Sequence, residues 1–266
     1  MCGCANIVNE IEEPIHVFTE ADYDRVITGI YAGTITVNNL DKVTYEKIAK
    51  KLTEGVYQGY KKSISDVLYH SPDWTMLNDL RTNVYIFSGA KTYQQTKAVS
   101  ALLSEKDAIT SFKDFKDKAN NILKEYNENY LKTEYNSSIA QAQSASQWQE
   151  IMSAKDDLPM LTYHTVGDQR VRFSHAALDG ISRPVKDKFW SKNFPPNDWN
   201  CRCTTLQSDD EEVSSLKGYK VNKHVNPVFQ FNAGKQRIIF SKKHPYFDVA
   251  AKDKTLAKQN FNLPIP

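Results

Sequence analysis

Hydrophobic side chains recur every three or four positions in two long segments of the first half of the chain. The first segment has its apolar residues at Ile48, Leu52, Val56 and Tyr60. The second has them at Phe112, Phe115, Ala119, Ile122, Leu123, Tyr126, Tyr130 and Leu131. This spacing places the residues of each segment on one face of an α-helix. The pattern therefore predicts long amphipathic helices whose apolar faces form a core.

The starts of these helices are indicated by polar residues. Thr44 and Ser111 stand at the beginnings of the two segments, and we predict that each is an N-cap. No proline occurs between Pro72 and Pro159, which favours helix throughout that stretch. Residues 91–104 are predicted to form a third helix.

The pattern changes after Pro159, where prolines and glycines return. Short runs with the apolar and β-branched character of strands are "MLTYHTV", "VRFSH", "RCTTLQ", "VFQFNAG" and "QRIIFS". Between them, "SHAALDG" predicts a single helical turn that ends at Gly180. We therefore expect short strands and loops in place of long helices.

These patterns together predict an α+β fold, in which a helical N-terminal region with long helices is followed by a compact C-terminal module of short strands and loops. We place the helical region at residues 1–110, the module at 111–250 and a C-terminal tail at 251–266. The long helix before the module is expected to run across the boundary, so the two parts do not separate cleanly.

The composition is that of a soluble globular protein. The 266 residues carry 34 basic and 32 acidic side chains, which gives a net charge of +2, and 40% of them are hydrophobic. No apolar run approaches the ~20 residues of a membrane helix. The first residues, "MCGCANIVNEIEEP", lack the basic and apolar regions of a secretory signal. We therefore expect no membrane partner and folding in a cytoplasm.

The net charge does not indicate a nucleic-acid-binding protein, but two basic stretches with interleaved aromatic residues are candidates for a DNA contact. They lie around "KGYKVNKHV" and before "HPYF". The candidate DNA-binding residues are Lys217, Lys220, Lys223, His224, Lys235, Arg237, Lys242 and Lys243. The alternative is that these residues are solvated loop charges.

The four cysteines form two C-x-C pairs, Cys2 with Cys4 and Cys201 with Cys203. A cytosolic chain does not normally keep disulfides. In extended chain the two residues of a C-x-C pair also lie near the ~7 Å upper limit for the Cα separation of a disulfide. Both side chains of such a pair in a strand point to the same face, which suits a shared metal ion or simple burial.

The most specific part of the sequence is "YHTVGDQRVRFSHAALDGISRPVKDKFWSKNFPPNDWNCRC". Its motif residues are Asp168, Arg172, His175, Asp179, Gly180, Trp190, Pro195, Pro196, Trp199, Cys201, Arg202 and Cys203. Their order resembles the core motif of the phage Mu protein F-like family, which includes the minor head protein of the phage SPP1 type. The likeness covers about residues 120–250. The N-terminal 110 residues carry no motif that we can name.

The resemblance implies a bacteriophage or prophage minor head protein. Such proteins take part in head morphogenesis, enter the procapsid in several copies, associate with portal and with capsid or scaffold proteins, and in some cases contact DNA during packaging or delivery. The implied location is the virion head, with the host cytoplasm during assembly. The implied role is binding, so we expect no enzymatic activity.

The motif residues by themselves leave more than one interpretation open. Arginine–carboxylate pairs, buried indoles and prolines would form a structural clasp that holds the module in shape. His175, Cys201 and Cys203 are also candidate ligands of a structural zinc ion. His164 or the Cys2/Cys4 pair would then supply the fourth ligand. The clasp would be formed with or without this metal.

An enzymatic interpretation is the alternative from a different class. Either late cysteine, together with His175 and Asp179, has the residue types of a thiol triad. Arg202 beside the thiols would lower a thiol pKa. The chain would then be a toxin-like or processing enzyme.

Overall fold

The structure, a computed structural model, describes residues 15–104 and 111–254. The long α-helices of its first part are α1 (Glu20–Tyr31), α2 (Lys42–Tyr60), α3 (Pro72–Ala101), α4 (Phe112–Lys124) and α5 (Leu131–Ser153). A π-helical segment, Glu125–Tyr130, joins α4 to α5. None of the helices in the described ranges is both long enough and apolar enough to span a membrane.

The second part consists of short elements. They are β1 (Met160–His164), α6 (Phe173–Ala176), β2 (Ser182–Pro184), α7 (Trp190–Asn193), β3 (Thr204–Ser208) and α8 (Ala233–Gln236). Single 3-10 turns occur at Ile64–Asp66, Val221–Lys223, Pro227–Phe229 and Pro245–Phe247. Long helices followed by a small sheet with loops confirm the predicted α+β fold.

One of the two predicted N-caps is correct. The Ser111 hydroxyl accepts a hydrogen bond from the backbone N–H of Asp114 at 3.1 Å, which caps α4. The prediction for Thr44 is wrong, because α2 begins at Lys42. The carboxylate of Asp41 accepts the Thr44 N–H at 2.8 Å, so an aspartate three positions before Thr44 in the chain precedes the first turn and caps it.

Helix α3 is much longer than the predicted segment 91–104. It begins at Pro72, where the missing proline N–H costs nothing at a first helical position. The Ser71 hydroxyl accepts the N–H of Trp74 at 3.1 Å and caps this start. Both apolar and polar side chains of α3 are buried. The helix therefore has no single apolar stripe. For this reason the sequence pattern did not predict its first half.

The chain folds into two compact units, each assembled from separate stretches. Among the described residues, the sheet unit comprises Gly55–Leu80 and Asn136–Lys243. The helical unit comprises residues 15–54, 81–104, 111–135 and 244–254. The chain passes from one unit to the other within α2, within α3 and within α5.

The helical unit has a core of side chains from its helices. Its fully or nearly fully buried apolar residues include Ile27, Ile48, Leu52, Val84, Phe87, Tyr93, Phe115, Ala119 and Leu123. Residues of both predicted apolar stripes are among them, which confirms that these faces of the helices point into the core. Phe112 and Tyr130 belong to the second predicted stripe but are exposed, at 40% and 43%. Both lie at ends of helical segments, where the stripe leaves the core.

The sheet unit contains a three-stranded antiparallel sheet in the order β2-β1-β3. Thr162 of the central strand lies opposite Ser182 on one side and Leu206 on the other. Leu161 and Tyr163 are fully buried, because alternate residues of β1 point to the core. Two of the predicted strands, "MLTYHTV" and "RCTTLQ", are confirmed as β1 and β3, whereas β2 was not predicted.

Three other predicted strands are wrong within the described residues. "VRFSH" runs into α6, which confirms instead the helical turn predicted in "SHAALDG". "VFQFNAG" and "QRIIFS" form a 3-10 turn, α8 and irregular chain. The side chains of Asn226 and Asn232 accept the N–H groups of Val228 and Lys235 at 3.1 and 2.9 Å. These local caps favour turns over a strand ladder.

Candidate functional site

The motif residues rest on the apolar core of the sheet unit, with Trp190 at 0% exposure among its largest side chains. The Trp190 indole N–H donates to the carbonyl of Arg183 at 3.3 Å. Its ring meets Phe189 and Phe194 edge to face, with centroids 4.9 and 6.4 Å apart. The other buried residues of this core are Trp148, Ile151, Leu161, Tyr163, Leu178, Val185, Val225 and Phe229.

The segment "FPPNDWNCRC", residues 194–203, lies beside this core, and we call it the C-x-C loop. Its first half is buried: Pro195 and Pro196, which are joined by a cis peptide bond, are both inaccessible. The hydroxyl of Ser144 in α5 donates to the Pro195 carbonyl at 2.6 Å. A buried carbonyl without a ladder partner is thus satisfied by a side chain.

The middle of the C-x-C loop is fixed by two further contacts. The hydroxyl of Tyr163 in β1 donates to the side-chain carbonyl of the buried Asn197 at 2.9 Å. Trp199 is half-buried and meets Phe229 edge to face at 4.9 Å. Trp190 and Trp199 therefore serve the packing of the core and loop.

Two arginines tie the C-x-C loop to the segment before α6. The Arg202 guanidinium donates to both carboxylate oxygens of Asp168, each at 2.7 Å, and this hydrogen bonding lowers the pKa of Asp168. Arg172 donates to the Trp199 carbonyl at 2.7 Å and lies 3.3 Å from the Asp198 carboxylate. Such planar, forked contacts fix loops that have no strand hydrogen bonds.

Asp179 and Gly180 shape the return of the chain from α6. The Asp179 carboxylate accepts the backbone N–H and the hydroxyl of Thr165 at 2.7 and 3.2 Å. Gly180 has a φ of +76°, which favours glycine, and its N–H donates to the Tyr163 carbonyl at 2.9 Å. The Asp179 carboxylate therefore fixes the start of the connection between β1 and α6.

Three motif side chains come together as a group of potential metal ligands, which we call the His–Cys cluster: His175, Cys201 and Cys203. His175 is 2% exposed, and its Nδ1 lies 3.6 Å from Sγ of Cys201 and 3.7 Å from Sγ of Cys203. The ligand atoms all lie within 4.8 Å of one another. Among the described residues the cluster does not include His164. Cys2 and Cys4 lie outside the described residues.

The two thiols of the cluster differ in acidity. The hydrogen bond from Cys203, followed by that from His175, holds the pKa of Cys201 well below its usual range. The same bond to Cys201, together with burial, raises the pKa of Cys203. Burial raises the pKa of the neighbouring Tyr163. One thiol therefore ionises far more readily than the other.

The His–Cys cluster lines a small pocket with about 230 Å³ of empty space, part of which is open to solvent. Arg170, Arg172 and Arg202 line the same pocket. The arrangement thus combines two potential sulfur ligands and one potential nitrogen ligand with three arginines, two of which pair with Asp168 and Asp198.

Comparison with known proteins identifies the family. The family model "Phage Mu protein F like protein" matches residues 44–206. The chain belongs to the phage Mu protein F-like family. The match confirms the resemblance found in the motif. It also begins in α2, within the region where the sequence offered no nameable motif.

Two curated relatives match part of this Mu F-like chain. The Mu-like prophage FluMu F protein of Haemophilus influenzae is 36% identical over 81 residues, which are 30% of this chain and 19% of the relative. The putative capsid assembly protein F of Escherichia phage Mu is 38% identical over 73 residues, which are 27% of this chain and 17% of the relative. The matches thus span less than a fifth of the length of either relative. No solved structure matches the chain.

Several candidate DNA-binding residues of the Mu F-like chain have contacts within the sheet unit. His224 stacks on Tyr219 with ring centroids 5.1 Å apart, and its Nδ1 lies 3.0 Å from the Ser174 carbonyl oxygen. The ammonium group of Lys235 lies 4.7 Å from the centre of the Trp148 ring. Both side chains therefore contribute to packing.

Other candidates are paired at the surface. Arg237 lies 3.3 Å from the carboxylate of Asp79, and the Lys243 ammonium donates to the side-chain carbonyl of Gln230 at 3.3 Å. The exposed lysines that remain are Lys217, Lys220, Lys223 and Lys242. The prediction of a DNA contact depends mainly on these four.

Sequence reasoning missed three residues that hold the Mu F-like motif in place: Tyr163, Asn197 and Asp198. Tyr163 alternates with Leu161 in an apolar run, and that pattern could have marked it as core-facing. Asn197 and Asp198 lie inside the motif stretch, but their partners are set by how distant loops meet. No sequence spacing encodes those partners.

Proposed function

We propose that this Mu F-like chain is a head-assembly protein of a phage or prophage, and that it enters the particle as a minor component. Its partners would be portal and capsid or scaffold subunits, and it would be present in several copies. The observation that carries the proposal is the family match over residues 44–206, which includes the whole motif stretch and all of the His–Cys cluster. One matching relative is named a putative capsid assembly protein.

The geometry of the motif supports a binding role. Arg202, Arg172 and Asp179 form ion pairs or hydrogen bonds within the sheet unit. These contacts fix an irregular surface before any partner arrives. A surface fixed in advance loses less conformational entropy on association.

A large exposed side chain offers a place for a partner. Phe173, the first residue of α6, is 92% exposed and lies two positions before the buried His175. Exposed aromatic side chains on a rigid base are frequent anchors of protein interfaces. We propose that this side chain contacts a portal subunit.

The test measures how much of the chain enters particles. Phe173→Ser is introduced into the phage or prophage, and copies per purified procapsid are counted by quantitative mass spectrometry. Because Phe173 is exposed, we expect an unchanged melting temperature and a several-fold loss of incorporation. The matched control is Leu103→Ser, which changes an exposed apolar residue of the helical unit at 43% exposure and should leave incorporation unchanged.

The result also separates the parts of the proposal. Absence of the wild-type chain from procapsids and virions would reject a head-assembly role. Normal incorporation of Phe173→Ser, or incorporation of the wild-type chain into particles assembled without portal, would reject the portal contact.

The proposal includes no catalytic activity, and two substitutions distinguish it from a thiol enzyme. In a binding module, Cys203→Ser and His175→Ala should lower the melting temperature and reduce incorporation together, because both side chains hold the C-x-C loop. A thiol enzyme would keep its fold and its incorporation and lose an activity. Wild-type melting of both variants would count against the binding module.

A DNA contact is a further part of the proposal, supported by the exposure of Lys217, Lys220, Lys223 and Lys242. Contacts to phosphate weaken steeply with salt. We expect retention on double-stranded DNA at low salt that is lost when the four lysines are changed to glutamine. Retention that is insensitive to salt, or none at low salt, would reject this contact.

A further inference from the structure

The two sulfur-to-nitrogen distances of the His–Cys cluster are those of a metal site. In a tetrahedral zinc site, with Zn–S distances of about 2.3 Å and Zn–N distances of about 2.0–2.1 Å, the sulfur-to-nitrogen edge is about 3.5–3.6 Å long. The Nδ1-to-Sγ distances here are 3.6 Å for Cys201 and 3.7 Å for Cys203. We propose that His175 Nδ1 and the thiolates of Cys201 and Cys203 bind one zinc ion, whose fourth ligand is a water molecule.

A thiol–imidazole hydrogen bond alone does not explain the geometry as well. Each imidazole nitrogen has either one lone pair or one N–H, so Nδ1 of His175 can make one well-directed hydrogen bond. Two sulfur atoms nevertheless lie at nearly equal distances from it. An ion at the centre of the three atoms accounts for both distances at once.

Backbone hydrogen bonds hold the ligand residues in place, and these bonds do not require a metal. The backbone N–H of His175 donates to the Arg172 carbonyl at 2.9 Å, which begins the α6 turn, and the N–H of Cys201 donates to the Asp198 carbonyl at 3.3 Å. Cys203 directly precedes β3. Ligands preorganised in this way lose little entropy on binding a metal.

Thiolate and imidazole ligands favour zinc among the common divalent ions. Sulfur ligands exclude Mg²⁺ and Ca²⁺, which take oxygen ligands. Binding converts two thiols to thiolates, so that two Cys–S–H bonds and one Zn²⁺ give two Zn–S bonds, and the thiol protons pass to solvent.

The fourth position is assigned to water because of the pocket. Within the described residues the cluster of potential ligands consists of one histidine and two cysteines. The pocket that they line opens to solvent. Arg170, Arg172 and Arg202 also line it, but a guanidinium group has no lone pair for a metal. This site differs from the four-protein-ligand site expected from the sequence, and it does not depend on the proposed role in head assembly.

The decisive experiment uses the full wild-type chain, purified without chelator. Elemental analysis should find about one zinc per chain. X-ray absorption at the zinc edge should find two sulfur neighbours at about 2.3 Å and two nitrogen or oxygen neighbours at about 2.0–2.1 Å. This measurement does not depend on whether any variant folds.

Other outcomes overturn the proposal in distinguishable ways. Less than a tenth of an equivalent of zinc, together with no uptake after zinc is added to the reduced protein, would remove the site. Three or four sulfur neighbours would mean that further thiols occupy the position given to water.

Matched variants locate the ligands. After cobalt replaces zinc, thiolate-to-cobalt absorption should fall to roughly half in Cys203→Ser, and zinc affinity should fall by at least tenfold in His175→Ala. Cys2→Ser/Cys4→Ser and His164→Ala, which change the alternative ligands, should keep both full zinc content and the full cobalt spectrum. Loss of zinc from either control would contradict the assignment.

Discussion

The two units bury polar side chains in different ways. In the helical unit, Lys91 of α3 and Glu134 of α5 are 0% and 3% exposed and lie 2.6 Å apart. The rings of Tyr126 and Tyr246 lie 5.8 and 5.5 Å from the Lys91 ammonium group. In the sheet unit, the buried Ser144 and the exposed Arg172 donate to backbone carbonyls of the C-x-C loop. The buried His175 lies against Cys201 and Cys203 in the His–Cys cluster.

The backbone explains the difference. Helices satisfy their own N–H and C=O groups. The buried charges of the helical unit therefore pair with each other, as Lys91 does with Glu134. The C-x-C loop has no such ladder, and side chains such as Ser144 and Arg172 satisfy its carbonyls. Losing one partner leaves an unpaired charge in the first case and releases a loop in the second.

The largest effect should come from unpairing the charge in the helical unit. Burial lowers the pKa of Lys91 and raises that of Glu134, and their mutual attraction opposes both shifts. Glu134→Leu should cost about 3–5 kcal/mol in the free energy of unfolding, because Lys91 is left buried without a partner. Urea unfolding followed by circular dichroism measures the loss.

The control for this substitution is the double variant Lys91→Met/Glu134→Leu. It should recover most of the lost stability, since an apolar pair replaces two desolvated charges. A single-variant cost below about 1 kcal/mol would mean that the pair is not sequestered as the structure indicates.

Metal removal should have the next largest effect, and it would act on the sheet unit. A chelator should lower the free energy of unfolding by about 2.7 kcal/mol relative to protein with free zinc at a hundred times its dissociation constant. Trp74, Trp148, Trp190 and Trp199 all belong to the sheet unit, so tryptophan fluorescence follows that unit during unfolding. Cys203→Ser should respond less to the chelator than wild type does, and a wild-type transition that does not move would argue against a bound metal.

Acid should weaken the helical unit through the buried imidazole of His244. Burial, aided by the positive charge of Lys91, lowers the pKa of His244 to about 4. The unfolded chain binds this proton near its ordinary pKa of about 6.5, so stability is full above that value and is lost as the pH falls toward 4. Between pH 7 and pH 5 the loss should be about 2 kcal/mol.

His244→Asn tests this dependence, because asparagine can still accept the Tyr246 N–H that Nδ1 of His244 accepts at 3.2 Å. Denaturant titrations at pH 7 and pH 5 should show a smaller difference in the variant than in wild type. Equal differences would place the acid sensitivity elsewhere.

The smallest effect should come from the surface of the sheet unit. Asp79 and Arg237 are 40% and 51% exposed and lie 3.3 Å apart. Asp79→Asn should change the free energy of unfolding by about 0–1 kcal/mol, because water and salt screen the pair. A cost comparable to that of Glu134→Leu would remove the distinction between a surface pair and a buried one.

The sequence was sufficient for features that depend on local periodicity. The buried positions Ile48, Leu52 and Phe115, the cap at Ser111 and the class of fold follow from spacing alone. The start of α3 could not be predicted from spacing, because the helix is buried on several faces. The turns after Pro227 could not be predicted either, because asparagine side chains cap them where strands were expected.

The candidate site was partly predictable for the same reason. Residue types identified His175, Cys201 and Cys203 as possible ligands, and the structure brings them together. The partner of Arg172 at Asp198 and that of Asp179 at Thr165 depend on how loops meet in three dimensions. Periodicity carries no information on such contacts.

The interleaved path of the chain has a consequence for genetics. Gly55–Leu80 belongs to the same unit as Asn136–Lys243, and residues 244–254 belong with residues 81–104 and 111–135. A gene cut once between these stretches, whether by recombination or by cloning, would yield two products that each lack part of both units. Genetic exchange should therefore preserve this stretch of the gene as a single block.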